Sequence, residues 1–128
     1  MKKILVLILA VTLLLAACSS KPKTAASAKA VSLAKQAVEA LDGYLDGSMS
    51  YNDAYDVVDE ASRKMEYTSN YTGTDMTDEQ RADWYIHMNL VHAASALTFD
   101  NYEGTPERFN DVVDARNKIA EYAGLDKR

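Results

Sequence analysis

The sequence predicts an all-α protein, a small antiparallel bundle of about four helices. Three observations carry that expectation. Apolar residues recur at spacings of three and four through most of the chain, the period of one helical face. Ser or Thr caps stand before these runs and glycines follow two of them. Nowhere does a convincing alternating stretch suggest a strand. With 128 residues there is room for one domain, and nothing repeats along it at longer range.

The first helix is carried by Val31, Ala34, Val38, Leu41 and Leu45, with Leu33, Ala37, Ala40 and Tyr44 widening its apolar face. Gly47 offers its C-cap. Ser50, with Asp53 three residues on, is a capping-box start for a second helix that turns Ala54, Val58, Ala61 and Met65 inward. The turn between the two is short, so they are expected to be antiparallel neighbours. From about Thr68 to Met76 the chain is rich in Ser, Asn, Thr and Gly, which predicts a loop. Thr77 and Gln80 then form another capping box. The third helix places Ile86, Leu90, Ala93 and Leu97 on one side and Trp84, Met88 and Val91 nearly opposite, which predicts a central position with little purely polar surface. Thr105, Pro106 and Glu107 start a last helix with Phe109, Val112, Val113, Ile119 and Ala120, ended by Gly124.

Ahead of the bundle the composition changes. Met1 is followed by Lys2, Lys3 and an apolar run over residues 4–17, ending Leu15, Ala16, Ala17, Cys18. A spanning helix needs roughly 20 apolar residues, so this run fits a signal segment better than a permanent anchor. Small residues before the cut let a chain enter a peptidase site. The Leu-Ala-Ala-Cys sequence closely resembles the lipobox of bacterial lipoproteins, a resemblance confined to residues 1–18. It implies diacylglyceryl transfer to the Cys18 sulfur, cleavage just before Cys18 and often acylation of the new amine, for example by palmitate. Two or more acyl chains anchor durably at about 0.8 kcal/mol per buried CH2, where one chain holds only marginally. Cys18 is therefore expected to be a lipid site rather than a catalytic thiol. In Gram-negative members of that class an Asp after the cysteine tends to retain the protein at the inner membrane. Here Ser19 follows, and which membrane is occupied stays open: the expected location is the cell membrane or the outer membrane. The expected organisation is a signal peptide at 1–17, a lipidated cysteine and flexible tether at 18–28, and an acidic helical domain at 29–128. Pro22 and the scarcity of large apolar residues support the tether.

Charge and cysteine usage narrow the partners. The formal charge is −5, and without Lys2 and Lys3 it becomes −7. Lys21, Lys23 and Lys29 sit in or beside the tether, which leaves the globular part near −10. Such a body repels nucleic acid, while the basic stem is mildly attracted to a membrane surface. With Cys18 the only cysteine, the bundle has no internal disulfide and its stability comes from packing.

Candidate chemistry is sparse. Asp42, Asp46, Ser50 and Asp53, with Gly47, partly resemble an EF-hand or dockerin calcium loop, falling at loop positions 1, 5, 9 and 12 with glycine at 6. Position 3 is Tyr44, which supplies no carboxylate, and the same residues are accounted for by a helix end at Gly47, an apolar staple at Met49 and a cap at Ser50. His87 and His92 are five apart, about 140° around a helix, which does not suit one metal. Asp83, one turn before His87, is expected to pair with it at the surface. No Ser elbow, Cys nucleophile or glycine-rich phosphate loop appears, so no enzyme activity and no cofactor are expected. Eight tyrosines and Trp84 are many for this length, and Tyr67, Tyr71 and Tyr102 near helix ends are either partly packed or a surface for sugar rings or a protein. Asn70, Tyr71 and Thr72 match a glycosylation sequon by chance. Arg116 falls among Val112, Val113, Ile119 and Ala120 on the apolar face of the last helix. It either snorkels to the bundle edge, meets a carboxylate from another helix, or faces a ligand. The expected role is a non-enzymatic interaction or structural one, with an envelope protein as partner; the alternative is a calcium or glycan binder.

Overall fold

The computed structural model describes residues 24–65 and 76–128. Leu15, Ala16, Ala17 and Cys18, most of the tether, Tyr67, Tyr71 and nearly all of the predicted 68–76 loop lie outside the described residues. Among the described residues there are four helices and no strand: α1 (Ala28–Leu45), α2 (Tyr51–Lys64), α3 (Asp78–Glu103) and α4 (Pro106–Ala123). None of them is long and apolar enough to cross a membrane.

Each start is made by a hydroxyl that takes a free first-turn N–H. Ser27 accepts from Ala30 at 3.2 Å, Ser50 from Asp53 at 3.2 Å and Thr105 from Arg108 at 3.2 Å. At α3 the box closes in both directions, Gln80 N–H to the Thr77 hydroxyl at 3.1 Å and Thr77 N–H to the Gln80 side chain at 3.0 Å. The stops use positive φ where a Cβ would be strained: Gly47 at +78° after α1 and Gly124 at +68° after α4. Beyond Gly124 the Leu125 N–H returns to the Ala120 carbonyl at 2.8 Å and the Leu125 side chain packs against the core.

The helices form a four-cornered bundle in which α1 packs on α2 and α4, and α3 packs on the same two, with α1 and α3 in lesser contact. Two bonds between that last pair fix their direction. The Ser27 N–H donates to Asp83 Oδ1 at 2.8 Å, and the Tyr44 hydroxyl donates to Asp100 Oδ2 at 2.6 Å. Both partners advance by 17 residues from one bond to the other, so α1 and α3 run parallel, as the first and third corners of an up-and-down bundle require. The core is built from Leu41, Val58, Met65, Ile86, Leu90, Leu97, Val112 and Ile119, with alanines such as Ala34, Ala37, Ala54, Ala93 and Ala120 letting the helices approach closely.

Three expectations are adjusted. The predicted tether reached residue 28, but α1 begins at Ala28 and residues 24–27 are bonded to the bundle. The Thr24 hydroxyl donates to the Tyr122 carbonyl, and the Ala26 N–H donates back to Thr24 Oγ1 at 3.1 Å. The second apolar side of α3 is not covered: Met88 and Val91 are 46% and 45% exposed, because α2 and α4 flank only the face that carries Ile86, Leu90, Ala93 and Leu97. Phe109, counted among the apolar residues of the last helix, lies in the first turn of α4 and is exposed.

Candidate interaction groove

Between α2 and α3 lies a groove of about 360 Å³. Its walls are Tyr55, Asp59 and Ser62 from α2 and Val91, Ala94, Ser95, Thr98 and Phe99 from α3. The α2 wall follows from helical spacing: Tyr55, Asp59 and Ser62 lie on one line beside the buried row Ala54, Val58 and Ala61. The α3 wall continues outward as an apolar row of Met88, Val91, Phe99 (50% exposed) and Tyr102 (88% exposed). The Arg108 guanidinium lies 5.0 Å from the centre of the Phe99 ring, held there by Glu103 at 2.7 Å and Asp111 at 3.2 Å.

Much of the polar chemistry in the walls is already engaged. The Thr98 hydroxyl donates to the Ala94 carbonyl at 3.0 Å and stands 3.0 Å from the Tyr51 hydroxyl. Ser62 donates to the Asp59 carbonyl at 2.8 Å, and the Asp59 carboxylate meets Arg63 at 2.9 Å. What the groove offers a visitor is chiefly apolar surface.

The residues proposed for a calcium loop are distributed among other tasks. Asp42 takes a two-pronged bond from Arg116, Nε to Oδ1 at 2.9 Å and Nη2 to Oδ2 at 2.9 Å. Arg128 reaches Asp42 at 3.4 Å and also bonds Asp46. Arg116 finishes its coordination on the Asp126 carbonyl at 2.6 Å and the Asn117 side chain at 3.2 Å. The hydrogen bonds from Arg116 hold the Asp42 carboxyl below its usual pKa against the opposing effect of burial. Ser50 caps α2 and Asp53 is exposed in its first turn. Among the described residues no group of three or more His, Cys, Asp or Glu is placed to hold a metal ion.

Two buried acids were not legible as such. Asp83 was expected at the surface beside His87; it is buried because it takes the N–H of Ser27, the residue that caps α1. His87 keeps Nδ1 buried without a hydrogen-bond partner among the described residues. Asp100 is buried under Tyr44, whose hydroxyl is pushed well above its usual pKa by burial and by that carboxylate. Tyr85 stacks on Tyr122 at 4.7 Å with Trp84 edge-on at 5.0 Å, so part of the aromatic surplus is structural. The groove residues Tyr55 and Phe99 were not singled out by sequence; the second apolar side of α3, with Val91 in it, was the available indication.

Comparison of the chain with models of known protein families, with curated proteins and with solved structures finds no match.

Proposed function

We propose that this chain is an exported lipoprotein, anchored in a membrane of the cell envelope through acylated Cys18, whose helical bundle acts without enzymatic chemistry by binding another protein. The anchoring half rests on the charge, length and cut-site residues of 1–18. The binding half rests on one observation: an apolar row on α3 and the groove beside it lie open while the opposite face of the same helix is fully buried. Open apolar surface rimmed by polar residues is how protein-binding faces commonly look.

Cells fed an alkyne analogue of palmitate test the anchor. The wild-type chain is expected to take up label and to shorten, and Cys18→Ser to do neither; label retained by Cys18→Ser would overturn the lipoprotein reading. A photo-crosslinking residue at Val91 tests the binding half, with a discrete protein adduct expected there and none from the same residue at exposed Lys35 on α1. Equal adducts at both positions would mean the face is not special.

A small-ligand role is the second reading, favoured by a groove volume within the range of small-molecule sites. Tyr55 and Phe99 are the residues a sugar ring would meet, although the wall hydroxyls of Ser62 and Thr98 are already bonded. Calorimetry with glycan fragments separates the two.

A further inference from the structure

The charge of the bundle is not spread evenly, and its distribution specifies what fits the groove. α1 carries two acidic and two basic residues, Glu39 and Asp42 against Lys29 and Lys35. α4 is nearly balanced, with four acids against three bases. α2 and α3 together hold nine Asp and Glu against three Lys and Arg. Residues 82–107 contain no Lys or Arg at all. The excess negative charge of the bundle therefore sits on the two helices that form the groove. All three bases are occupied locally, Arg63 by Asp59 at 2.9 Å, Lys64 by Glu60 at 2.8 Å and Arg81 by Asp78 at 3.6 Å, and Asp56 is exposed on the α2 side without an ion pair among the described residues.

The apolar part has a definite shape. Met88, Val91, Ser95, Phe99 and Tyr102 are separated by three, four, four and three residues, so they form one line along α3, about 21 Å long at 1.5 Å per residue. A line of that length matches about four turns of a visiting helix, whose i, i+3 or i+4 and i+7 side chains would lie along it. An extended strand is a poorer occupant because no sheet edge is available here to pair with it among the described residues.

The geometry points to the α2–α3 groove as the docking site for a basic amphipathic helix from a protein partner. The apolar stripe of that helix lies on Val91, Ala94 and Phe99, and its Lys or Arg flanks lie over Asp56 and Asp59. A second copy of this chain is the less suitable occupant, because it would bring two excess-acidic helix pairs face to face; an anionic bilayer is repelled for the same reason. This inference rests on the reading of the bundle as an interaction domain but not on the lipid anchor.

The test uses the full chain in uncharged detergent micelles and a labelled 18-residue peptide of Leu and Lys in helical amphipathic order. Two control peptides are the same design with Glu for Lys, and a scrambled Leu and Lys sequence with no apolar face. Fluorescence anisotropy is expected to show saturable binding of the ordered Lys peptide only, weakened at least tenfold by Val91→Glu or Phe99→Ala and several-fold by Asp56→Lys, and unchanged by Glu39→Lys on α1. Circular dichroism checks each variant. Should a variant unfold, a photo-leucine version of the peptide on the unaltered protein gives the answer, with adducts expected on α2 and α3. Adducts on α1 or α4, equal binding of the Glu or scrambled peptide, or full binding by a folded Val91→Glu chain would each overturn the proposal. So would sedimentation showing a dimer that Val91→Glu dissociates, because the groove would then be filled by a second copy. Palmitate labelling at Cys18 is read independently, so loss of the anchor reading leaves this result interpretable.

Discussion

Arg116 and Asp42 are 74 positions apart in sequence and joined by two hydrogen bonds in the structure. The arginine side chain is 8% exposed and the aspartate 32%, so the pair is half sheltered. Removing one partner of a fully buried pair costs about 3 to 5 kcal/mol, and the exposure of Asp42 reduces that toward about 2 kcal/mol for Arg116→Ala. Arg116→Met combined with Asp42→Asn should cost much less than the sum of the single changes, because neither charge is then left alone. Chemical denaturation of the four-member cycle checks this, and coupling below about 0.5 kcal/mol would remove the pair as a stabilising contact. The pH dependence has two edges. Asp42 is depressed in the folded state, so its contribution is present above its unfolded pKa near 3.8 and is lost as pH falls through the folded value. Tyr44 is raised, so its contribution is present below 10.0 and is lost as pH climbs beyond that. Melting curves of Asp42→Asn and Tyr44→Phe should flatten the acid and the alkaline edge respectively; an acid edge that persists unchanged in Asp42→Asn would assign it elsewhere. The place of Arg116 on an apolar face was readable from spacing, and its partner was not, since spacing within one helix says nothing about which acid another helix presents. The same holds for Asp83 and Asp100, buried by bonds to Ser27 and Tyr44, each 56 residues earlier.

α3 is the element in which the two sides of one helix part company. Ile86, Leu90 and Leu97 are fully enclosed, whereas Val91 is nearly half exposed one residue after Leu90. Leu90→Ala should therefore cost about 2 to 5 kcal/mol through the cavity it leaves, and Val91→Lys about 0.5 kcal/mol or less. Urea titration of the two variants compares them directly, and equal losses would mean that the outer row is covered in solution. The ends of the elements were largely written in the sequence, because a cap is a local bond between residues three apart: Ser50, Thr77 and Thr105 start helices where expected, and Gly47 and Gly124 stop them. Which apolar side would stay bare was not, because periodicity records where apolar residues stand and not how many helices arrive to cover them. The tether boundary moved for a related reason. Thr24 and Ser27 look like linker residues by composition, and only their distant partners Tyr122 and Asp83 make them part of the bundle.

At the scale of the molecule, the turn that resembles a calcium loop joins α1 to α4 and the C-terminal residues. Asp42 and Asp46 face Arg116 and Arg128, so a cation would have to displace two arginines to use them. Millimolar calcium should leave the melting temperature within about a degree of its calcium-free value, since a ligand that binds weakly at its available concentration stabilises little. A rise of several degrees that Asp46→Ala abolishes would restore the calcium reading. The all-α bundle could be anticipated from pattern alone, but the groove could not, being a property of how two helices pack.

The bonds at Thr24 and Ser27 set how far an anchored bundle can stray. If Cys18 is the attachment point, six residue steps separate it from Thr24, and no conformation of six steps exceeds about 22 Å. That is shorter than α3, whose 26 residues measure about 39 Å. Attached in this way, the domain stays within one body length of the lipid and keeps its Thr24 end inward, where Tyr122 and the start of α3 lie. The search for a partner then becomes a lateral one within a thin layer above the bilayer. A spacer of 20 Gly and Ser residues inserted after Lys23 should leave peptide affinity in micelles unchanged while reducing the Val91 crosslink in cells, because the groove would be carried above the depth at which its partner waits.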